Sequence, residues 1–340
     1  MNLLVRLLRF TIKSSAVLYL LALVAYLVLR GVFGDRLFMG VINSFAHLLF
    51  LPLILALPLL ALLRSRWSLL GLVLLIVAGT WFGSYFLPKF HTAATGNTLK
   101  VVTFNVWREN TQLSELETWL RSIDADVILI QEYPRQFPTT TVRNLQDVYP
   151  YWFTQQWVLG NIILSKYPFI ESQNFDPAHA NGVNQQRAVI DWHGQPIAIY
   201  NVHLSTPMWK VRGQRSRFYV RTILGYDDSI RNHEIASLIP ILQAERLPYI
   251  IAGDFNLSDH SVTYDQLAAF LGDTYREAGI GMGKSWPRPN DASSRLLRLL
   301  PPLIRIDYIW HSAQWRAVDA SQGPYLGSDH LAVVGVLTLN

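Results

Sequence analysis

The chain contains no cysteine, and its first quarter contains almost no acid. The lack of cysteine excludes disulfide bonds, thiol nucleophiles and thiolate metal sites, and it is compatible with any compartment. Residues 1–91 hold eight Lys and Arg against one Asp, whereas residues 92–340 hold 21 Lys and Arg against 23 Asp and Glu. The net charge of +5 and the pI near 9.4 therefore belong to the first segment. A basic pI is typical of nucleic-acid binding, but residues 92–340, with two more acids than bases, are not basic.

Three long apolar stretches occupy the first segment, at residues 10–29, 37–63 and 67–87. At 1.5 Å per residue, each is long enough to cross a hydrocarbon core of ~30 Å. A cleaved signal peptide is the alternative for the first stretch, but two more stretches follow it and no small-residue cleavage pattern is present. The sequence therefore predicts a membrane domain at residues 1–91 with about three transmembrane helices, and a second domain at residues 92–340.

The middle stretch contains Pro52 and Pro58 and is either one tilted, kinked helix or a re-entrant pair.

Basic residues beside these stretches indicate an orientation. Five of them lie at the start of the first stretch or after the second: Arg6, Arg9, Lys13, Arg64 and Arg66. Under the positive-inside rule these residues are cytoplasmic. With three spans, we expect a multi-pass protein of the plasma (inner) membrane whose large domain lies on the extracytoplasmic side.

The second domain is organised around residues 249–256, Tyr-Ile-Ile-Ala-Gly-Asp-Phe-Asn. An apolar run bounded by Pro248 and Gly253 is typical of a buried strand. If the backbone stays extended, Asp254 and Asn256 project from the same side of the pleat, at the rim of a sheet. An Asx-turn that closes the strand is the alternative for this stretch alone.

Other strand-like runs, at 101–105, 126–132, 197–203 and 305–310, also deliver or contain polar residues, and Gly-Ser-Asp-His-Leu at 327–331 precedes a last apolar run. His193-Gly194 predicts a hairpin between 187–192 and 195–204. Helices are predicted after Ser114-x-x-Glu117, a capping-box pattern, and around 227–244. Hairpins with a few covering helices predict an α/β fold of two packed sheets, an α/β sandwich, preceded by an all-α transmembrane segment.

Taken in order, these motifs resemble the endonuclease/exonuclease/phosphatase superfamily, metal-dependent phosphodiesterases that include deoxyribonuclease-like enzymes, abasic-site endonucleases and neutral sphingomyelinases. The resemblance covers residues 98–340 and implies that 92–340 is the catalytic domain. It implies Glu132 as the principal metal ligand, with Asn105 orienting the metal or the phosphate and Asp329 beside the metal. Hard oxygen ligands on a sheet rim suit Mg²⁺ or Mn²⁺. The aspartate that some members place just after the position of Asn105 is missing, so both one metal and two metals remain open.

The resemblance also implies the catalytic set. Asp254 would deprotonate the attacking water, and Asn256 would donate to the phosphate oxygens as charge develops on them. His330 would face the scissile phosphate, and Asp307 would fix its tautomer and hold it cationic. His203 matches the second catalytic histidine of the deoxyribonuclease- and sphingomyelinase-like members.

Two stretches bear on the substrate. Residues 210–221 carry five basic residues and no acid, which is typical of a solvated face or of an anion-binding rim. Residues 295–305 are apolar between Arg295 and Arg305, which fits either a core segment or a bilayer interface. The sequence thus predicts a membrane-anchored, Mg²⁺-dependent phosphodiesterase for a lipid or small phosphodiester, with no obligate protein partner. The alternatives are an extracytoplasmic DNA nuclease and a non-catalytic membrane-bound binding module.

Overall fold

The computed structural model describes residues 3–36, 38–89, 96–154, 160–178, 185–207, 226–288 and 301–340. Five helices form an amino-terminal bundle: α1 Leu3–Phe33, α2 Met39–Ser44, α3 Ala46–Phe50, α4 Leu53–Leu62 and α5 Ser68–Phe82, which continues as a 3-10 turn, Gly83–Phe86. Two of these elements are long and apolar enough to cross a membrane, Leu3–Phe33 and Ser68–Phe86, while Ala46–Leu62 is shorter.

The middle apolar stretch, expected to be one tilted, kinked helix or a re-entrant pair, is divided among α2, α3 and α4. Residues 38–63 do not form one continuous helix. Phe45 leaves the helical region between α2 and α3, with φ −108° and ψ 19°, and Pro52 precedes α4 without an N–H to continue the ladder. Two described helices therefore have spanning length, and a multi-pass arrangement becomes a proposal.

The bundle is apolar inside and outside. Its interior is built from buried side chains such as Leu20, Leu23, Phe50, Leu60 and Leu74. Large apolar side chains also cover its surface, and Leu55, Leu69 and Leu18 are each about two-thirds exposed. A helix that is hydrophobic all round belongs in a protein core or in a membrane, and these outward faces have no protein partner among the described residues.

Two six-stranded sheets follow the bundle. The first has the order β11-β12-β1-β2-β4-β3, with β1 Thr98–Asn105, β2 Val127–Gln131, β3 Tyr151–Thr154, β4 Ile162–Ser165, β11 Trp315–Gln322 and β12 Val333–Leu339. The second has the order β5-β6-β7-β8-β10-β9, with β5 Phe169–Phe175, β6 Gln185–Trp192, β7 Gln195–His203, β8 Tyr249–Asp254, β9 Gly272–Asp273 and β10 Asp307–His311. The helices of this part are α6 Leu113–Ser122, α7 Thr141–Asn144, α8 Ser229–Ala244, α9 Val262–Ala268 and α10 Thr274–Ala278.

The strand order brings polar residues to one rim. In the first sheet β1 and β2 are parallel, so Asn105 pairs with Gln131 at their carboxyl ends. In the second sheet β7 and β8 are parallel, so His203 pairs with Asp254. The antiparallel strand β10 begins at the same level, because Asp307 pairs with Asp254.

The predicted two-sheet α/β sandwich is confirmed. A core of inward-facing side chains, among them Val101, Leu129, Ile199, Ile250 and Ile309, fills the space between the sheets. The predicted hairpin is also present, with Trp192 opposite Gln195. The helix predicted near Ser114 is present, but its capping box is wrong. α6 begins at Leu113, and its cap residue is Gln112, which makes no side-chain capping bond.

Candidate active site

Asp254 is the centre of the site, and a glycine places it there. Gly253 has φ +150°, and a Cβ added to it would lie 1.7 Å from the Val202 carbonyl oxygen. Only glycine allows β8 to approach β7 this closely. The Asp254 side chain is buried at the rim where the carboxyl ends of β7 and β8 meet.

Four groups surround the Asp254 carboxylate. Asn105 Nδ2 donates to Oδ2 at 3.0 Å, which joins the two sheets across the rim. The Nε2 atoms of His203 and His330 each lie 3.8 Å from Oδ2. The Asn256 backbone N–H donates to Oδ1 at 2.9 Å. One carboxylate therefore contacts both histidines and both asparagines of the sequence-predicted set.

His330 is held by its backbone and by its ring. Ser328 Oγ donates to the Asn105 carbonyl at 2.7 Å and accepts from the His330 N–H at 3.0 Å. The ring nitrogen Nδ1 lies 2.9 Å from Asp307 Oδ2. Nε2 of the same ring therefore faces Asp254, as in a histidine oriented by a carboxylate.

The charges of the cluster are set by burial and by mutual contact. Burial raises the pKa of the Asp254 carboxyl to about 6; the charge of Asp307 acts in the same direction, while His330 and His203 oppose it. Burial alone would lower the pKa of His330, but Asp307 and Asp254 together raise it to about 10. At neutral pH the arrangement is a carboxylate beside a histidine cation.

Glu132 lies at the same rim, where Asn105 and His203 contact both it and Asp254. It follows β2 with φ +50°, a left-handed conformation that is uncommon for a side-chain-bearing residue, and this turns the carboxylate to the rim. Asn105 Nδ2 lies 3.3 Å from Glu132 Oε1, and His203 Nε2 lies 3.5 Å from the same oxygen. Arg108 Nε is 3.4 Å from the other oxygen. About a fifth of the Glu132 side chain remains exposed, with a side-chain exposure of 21%.

The described atoms allow one three-residue group that could hold a metal ion, Asp254, Asp307 and His330, whose candidate ligand atoms lie within 4.8 Å of one another. Its members also contact one another directly, with His330 Nδ1 2.9 Å from Asp307 Oδ2, an arrangement that suits proton transfer. Of the Glu132, Asp254 and Asp307 carboxylates, only that of Glu132 remains partly exposed.

Three predicted residues are placed differently from what their expected roles would suggest. Asn105 directs its N–H groups at Glu132 and Asp254, and its oxygen accepts from the Trp107 N–H at 3.1 Å. Asn256 uses one of its two amide hydrogens on the Leu204 carbonyl at 2.9 Å. Asp329 accepts from the Trp286 indole at 3.3 Å, and no bond joins it to Glu132 among the described residues.

Sequence reasoning missed three supporting residues. Gln185 brackets the His203 backbone, since its oxygen accepts from the N–H at 2.7 Å and its amide donates to the carbonyl at 3.0 Å. Arg231, buried in α8, donates to the Asn256 carbonyl at 2.5 Å. Ser328 lies inside the Gly-Ser-Asp-His motif, which was the only available signal. No sequence motif marks Gln185 or Arg231, and the fold brings them to the site.

Most of the two substrate-related stretches, residues 210–221 and 295–300, lies outside the described residues. Arg305, at the end of the second stretch, is buried, with a side-chain exposure of 1%, and pairs with Asp273. Of the two alternatives stated for that stretch, a core segment or a bilayer interface, the internal ion pair of Arg305 fits the core segment.

Two packed mixed sheets with carboxylates and histidines at one shared rim define a nuclease- and phosphatase-like fold. The chain belongs to the Endonuclease/Exonuclease/phosphatase family, whose profile matches residues 102–330. No curated protein is detectably similar to the chain in sequence.

Solved structures share this fold. An endonuclease/exonuclease/phosphatase from Bacteroides vulgatus is 16% identical, with a TM-score of 0.54, over 72% of this chain and 100% of that chain. TDP2 from C. elegans is 15% identical, with a TM-score of 0.54, over 72% of this chain and 76% of that chain. A humanized D. rerio TDP2 is 18% identical, with a TM-score of 0.53, over 71% and 99% of the two chains. At these identities the likeness shows the fold alone.

Proposed function

We propose that the protein is a membrane-anchored, Mg²⁺-dependent phosphodiester hydrolase. The observation that carries the proposal is the single carboxylate, Asp254, in contact with His203 and His330 at 3.8 Å each and with Asn105 at 3.0 Å. Hydrolysis of an anionic diester needs an acceptor for the proton of water, a cationic or donor group for the phosphate, and a proton for the departing oxygen. The cluster supplies all three.

Asp254 accepts the proton of the attacking water, because its pKa of about 6 leaves it ionised yet basic at neutral pH. His330 is cationic and stabilises the negative charge that develops on the phosphate oxygens, while Asp307 holds its ring through Nδ1. The free amide hydrogen of Asn256 donates to the same oxygens. The water oxygen forms the new bond to phosphorus, the ester P–O bond breaks, and His203 gives a proton to the oxygen that leaves.

Glu132 would hold the divalent cation. Its carboxylate is a hard ligand, it is partly exposed, and Mg²⁺ is usually bound through one or two carboxylates while it keeps several waters. Mn²⁺ fits the same donor set. Asn105 would orient the Glu132 and Asp254 carboxylates through its N–H groups, and Asp329 would contribute through one of the waters that the cation keeps. When bound, the cation neutralises part of the phosphate charge.

The bundle supports a membrane location. Its outer faces are apolar, and two helices have spanning length. Arg9 and Lys13 of α1 and Arg64 after α4 line one cleft at one end of the bundle. At the other end, Arg30 donates to the His260 carbonyl at 2.7 Å, in the catalytic part. Because Arg64 lies in the same cleft as Arg9, the chain returns along the bundle through α2–α4 between the two long helices. These three passes put the cations and the catalytic domain at opposite ends, which supports an extracytoplasmic domain under the positive-inside rule.

A reporter fused after Asn340 tests this topology. We expect it to be active only outside the cytoplasm. A reporter active only in the cytoplasm would show that the bundle crosses the membrane an even number of times, with the amino terminus and the catalytic domain on the same side.

For the substrate, we favour a lipid or small phosphodiester near the bilayer. Duplex binding draws most of its affinity from Lys and Arg, yet residues 92–340 hold two more acids than bases. The direct packing of the bundle on the catalytic part also keeps the site close to the membrane.

The deciding experiment is a Mg²⁺-dependent hydrolysis screen of the full chain on phospholipids, sphingomyelin, inositol phosphates and DNA, with Glu132→Gln as the matched control. Turnover of a lipid or small diester that needs Mg²⁺ supports the proposal. Efficient cleavage of DNA at physiological salt, with no lipid product, would identify an extracytoplasmic nuclease. No turnover of any substrate would favour the binding module.

A further inference from the structure

The bundle contacts the turn that follows the catalytic strand. This turn, residues 255–261, which we name the catalytic turn, connects Asp254 to α9 and contains Asn256. At its far end His260 is buried, with an exposure of 3%. Its ring centroid lies 5.1 Å from that of His47, 5.3 Å from Phe82 and 6.1 Å from Trp81, all in the bundle.

A buried charged group lies beside His260. The Asp259 carboxylate pairs with Arg276 and lies 3.4 Å from Nε of Arg305. Burial opposes ionisation, but His260, Arg276 and Arg305 hold the pKa of Asp259 well below its usual range. The Arg276 guanidinium in turn stacks 3.4 Å from the ring centroid of Tyr85, in the 3-10 turn that ends the bundle. Tyr85 therefore closes one side of a charge network that begins in the catalytic turn.

The same network reaches the other catalytic strand. Arg305 lies two residues before Asp307, and its Nη1 donates to Asp273 Oδ1 at 2.9 Å. The Tyr308 hydroxyl contacts the Leu257 carbonyl at 2.7 Å and the Arg305 carbonyl at 2.9 Å. The backbone segments that carry Asn256 and Asp307 are thus tied to each other.

We infer that the membrane bundle is a positioning part of the active site, acting through Tyr85 and the ring cluster around His260 on the segments that carry Asn256 and Asp307. The inference rests on the proposed function, since it assigns catalytic roles to those two residues. Asn256 has φ +49°, a conformation that persists only when its surroundings hold it. Contacts of the bundle with His260 and Arg276 provide part of those surroundings.

The alternative is an interface that only attaches the domain. Attachment would make Tyr85 matter for stability and leave the rate of the folded protein unchanged. Positioning predicts a specific loss of turnover, because a displacement of about 1 Å far from the chemistry can lower a rate by about 10²-fold. It also predicts an unchanged Mg²⁺ requirement. Glu132 follows β2 of the first sheet and has no bond to the network among the described residues.

The experiment uses the full chain in detergent micelles, with bis(p-nitrophenyl) phosphate and Mg²⁺. Tyr85→Ala removes the ring that stacks on Arg276, and Tyr85→Phe restores a ring without the hydroxyl. Tyr19→Ala is the matched control, because Tyr19 bonds the Leu49 carbonyl inside the bundle. We expect Tyr85→Ala to lower kcat by about tenfold with KM and the Mg²⁺ requirement unchanged, and Tyr85→Phe and Tyr19→Ala to stay near wild type.

Hydrogen exchange of the peptide covering the catalytic turn is measured on the same samples. Faster exchange there in Tyr85→Ala, with Tyr19→Ala unchanged, supports the inference. Equal kcat and equal exchange in both variants would overturn it. If the wild-type protein hydrolyses nothing, the proposed function fails, and the exchange comparison alone then decides whether the bundle positions the turn.

Discussion

Asp307→Asn is the most informative single change at the site. The carboxylate lies 2.9 Å from His330 Nδ1 and is the largest contributor that raises the pKa of this histidine to about 10. The amide is nearly the same size but carries no charge. His330 should therefore stay in place while its affinity for a proton falls.

The size of the effect follows from the contact. A hydrogen bond to a charged group contributes about 1.5–3 kcal/mol, and one pKa unit corresponds to about 1.4 kcal/mol. The pKa of His330 should fall from about 10 by about one to two units. Turnover requires Asp254 ionised and His330 protonated, so the alkaline limb of the pH profile should move to lower pH. The acid limb, set by Asp254 near 6, should move less and also downward, because Asp307 helps to raise that pKa.

The assay is the pH dependence of kcat/KM for bis(p-nitrophenyl) phosphate at a fixed low Mg²⁺ concentration. Interacting groups titrate together, so the limbs are read as properties of the cluster. At neutral pH we expect a smaller loss of kcat than at alkaline pH, because the imidazole remains mostly protonated after a fall of that size. Asp319→Asn is the control, because Asp319 is an exposed residue of β11. An alkaline limb that does not move in Asp307→Asn would refute the assignment of His330 as the cation.

Three further predictions follow from local geometry. Gly253→Ala should abolish activity and lower the unfolding temperature, because the new Cβ would lie 1.7 Å from the Val202 oxygen, whereas Gly96→Ala, with nothing within 4 Å, should be mild; equal melting curves would contradict this. The depressed pKa of Asp259 means that its carboxylate stabilises the fold above the ordinary value of 3.8 and that this stabilisation is lost as pH falls below it. Asp259→Asn should therefore cost about 3–5 kcal/mol at pH 7 and flatten the acid dependence of chemical denaturation, and an unchanged dependence would count against the buried ion network. Glu132→Gln should raise the Mg²⁺ concentration needed for half-maximal rate, and a titration superimposable on wild type would remove Glu132 as the metal ligand.

The sheets could be predicted from the sequence because their signals are local. Buried strands such as Tyr249–Asp254 are short apolar runs between Pro248 and Gly253, and the residues that follow them lie at a rim whatever the partner strand is. The pairing of Asp254 with both His203 and Asp307 needs the strand order of the second sheet, which no single run specifies.

The supporting contacts could not be predicted, since each joins residues far apart in sequence. Gln185 holds His203, and Arg231 holds the Asn256 carbonyl, through side chains that have no pattern in the chain. Arg305 shows the same limit. An arginine at the end of an apolar run fits either an exposed anchor or a buried ion pair, and only the fold shows that Asp273 lies beside it.

The bundle was predicted from composition, which does not show how its middle stretch is divided into helices. Mean hydropathy identifies residues 37–63 as apolar but is insensitive to where the helical ladder breaks. The break at Phe45 and the proline at Pro52 shorten the helices below spanning length. Its docking on His260 could not be seen in the sequence, because no motif connects the two segments.

The measurement that tests the central claim most directly is Mg²⁺-dependent phosphodiester hydrolysis by the full chain, compared with Asp254→Ala and His330→Ala. Both side chains are buried at the rim and lie 3.8 Å apart at their nearest atoms. The account predicts measurable turnover by the wild type and a loss of at least about 10²-fold in each variant, with folding unchanged by circular dichroism. Variants that are folded and hydrolyse the diester at near wild-type rates would contradict it.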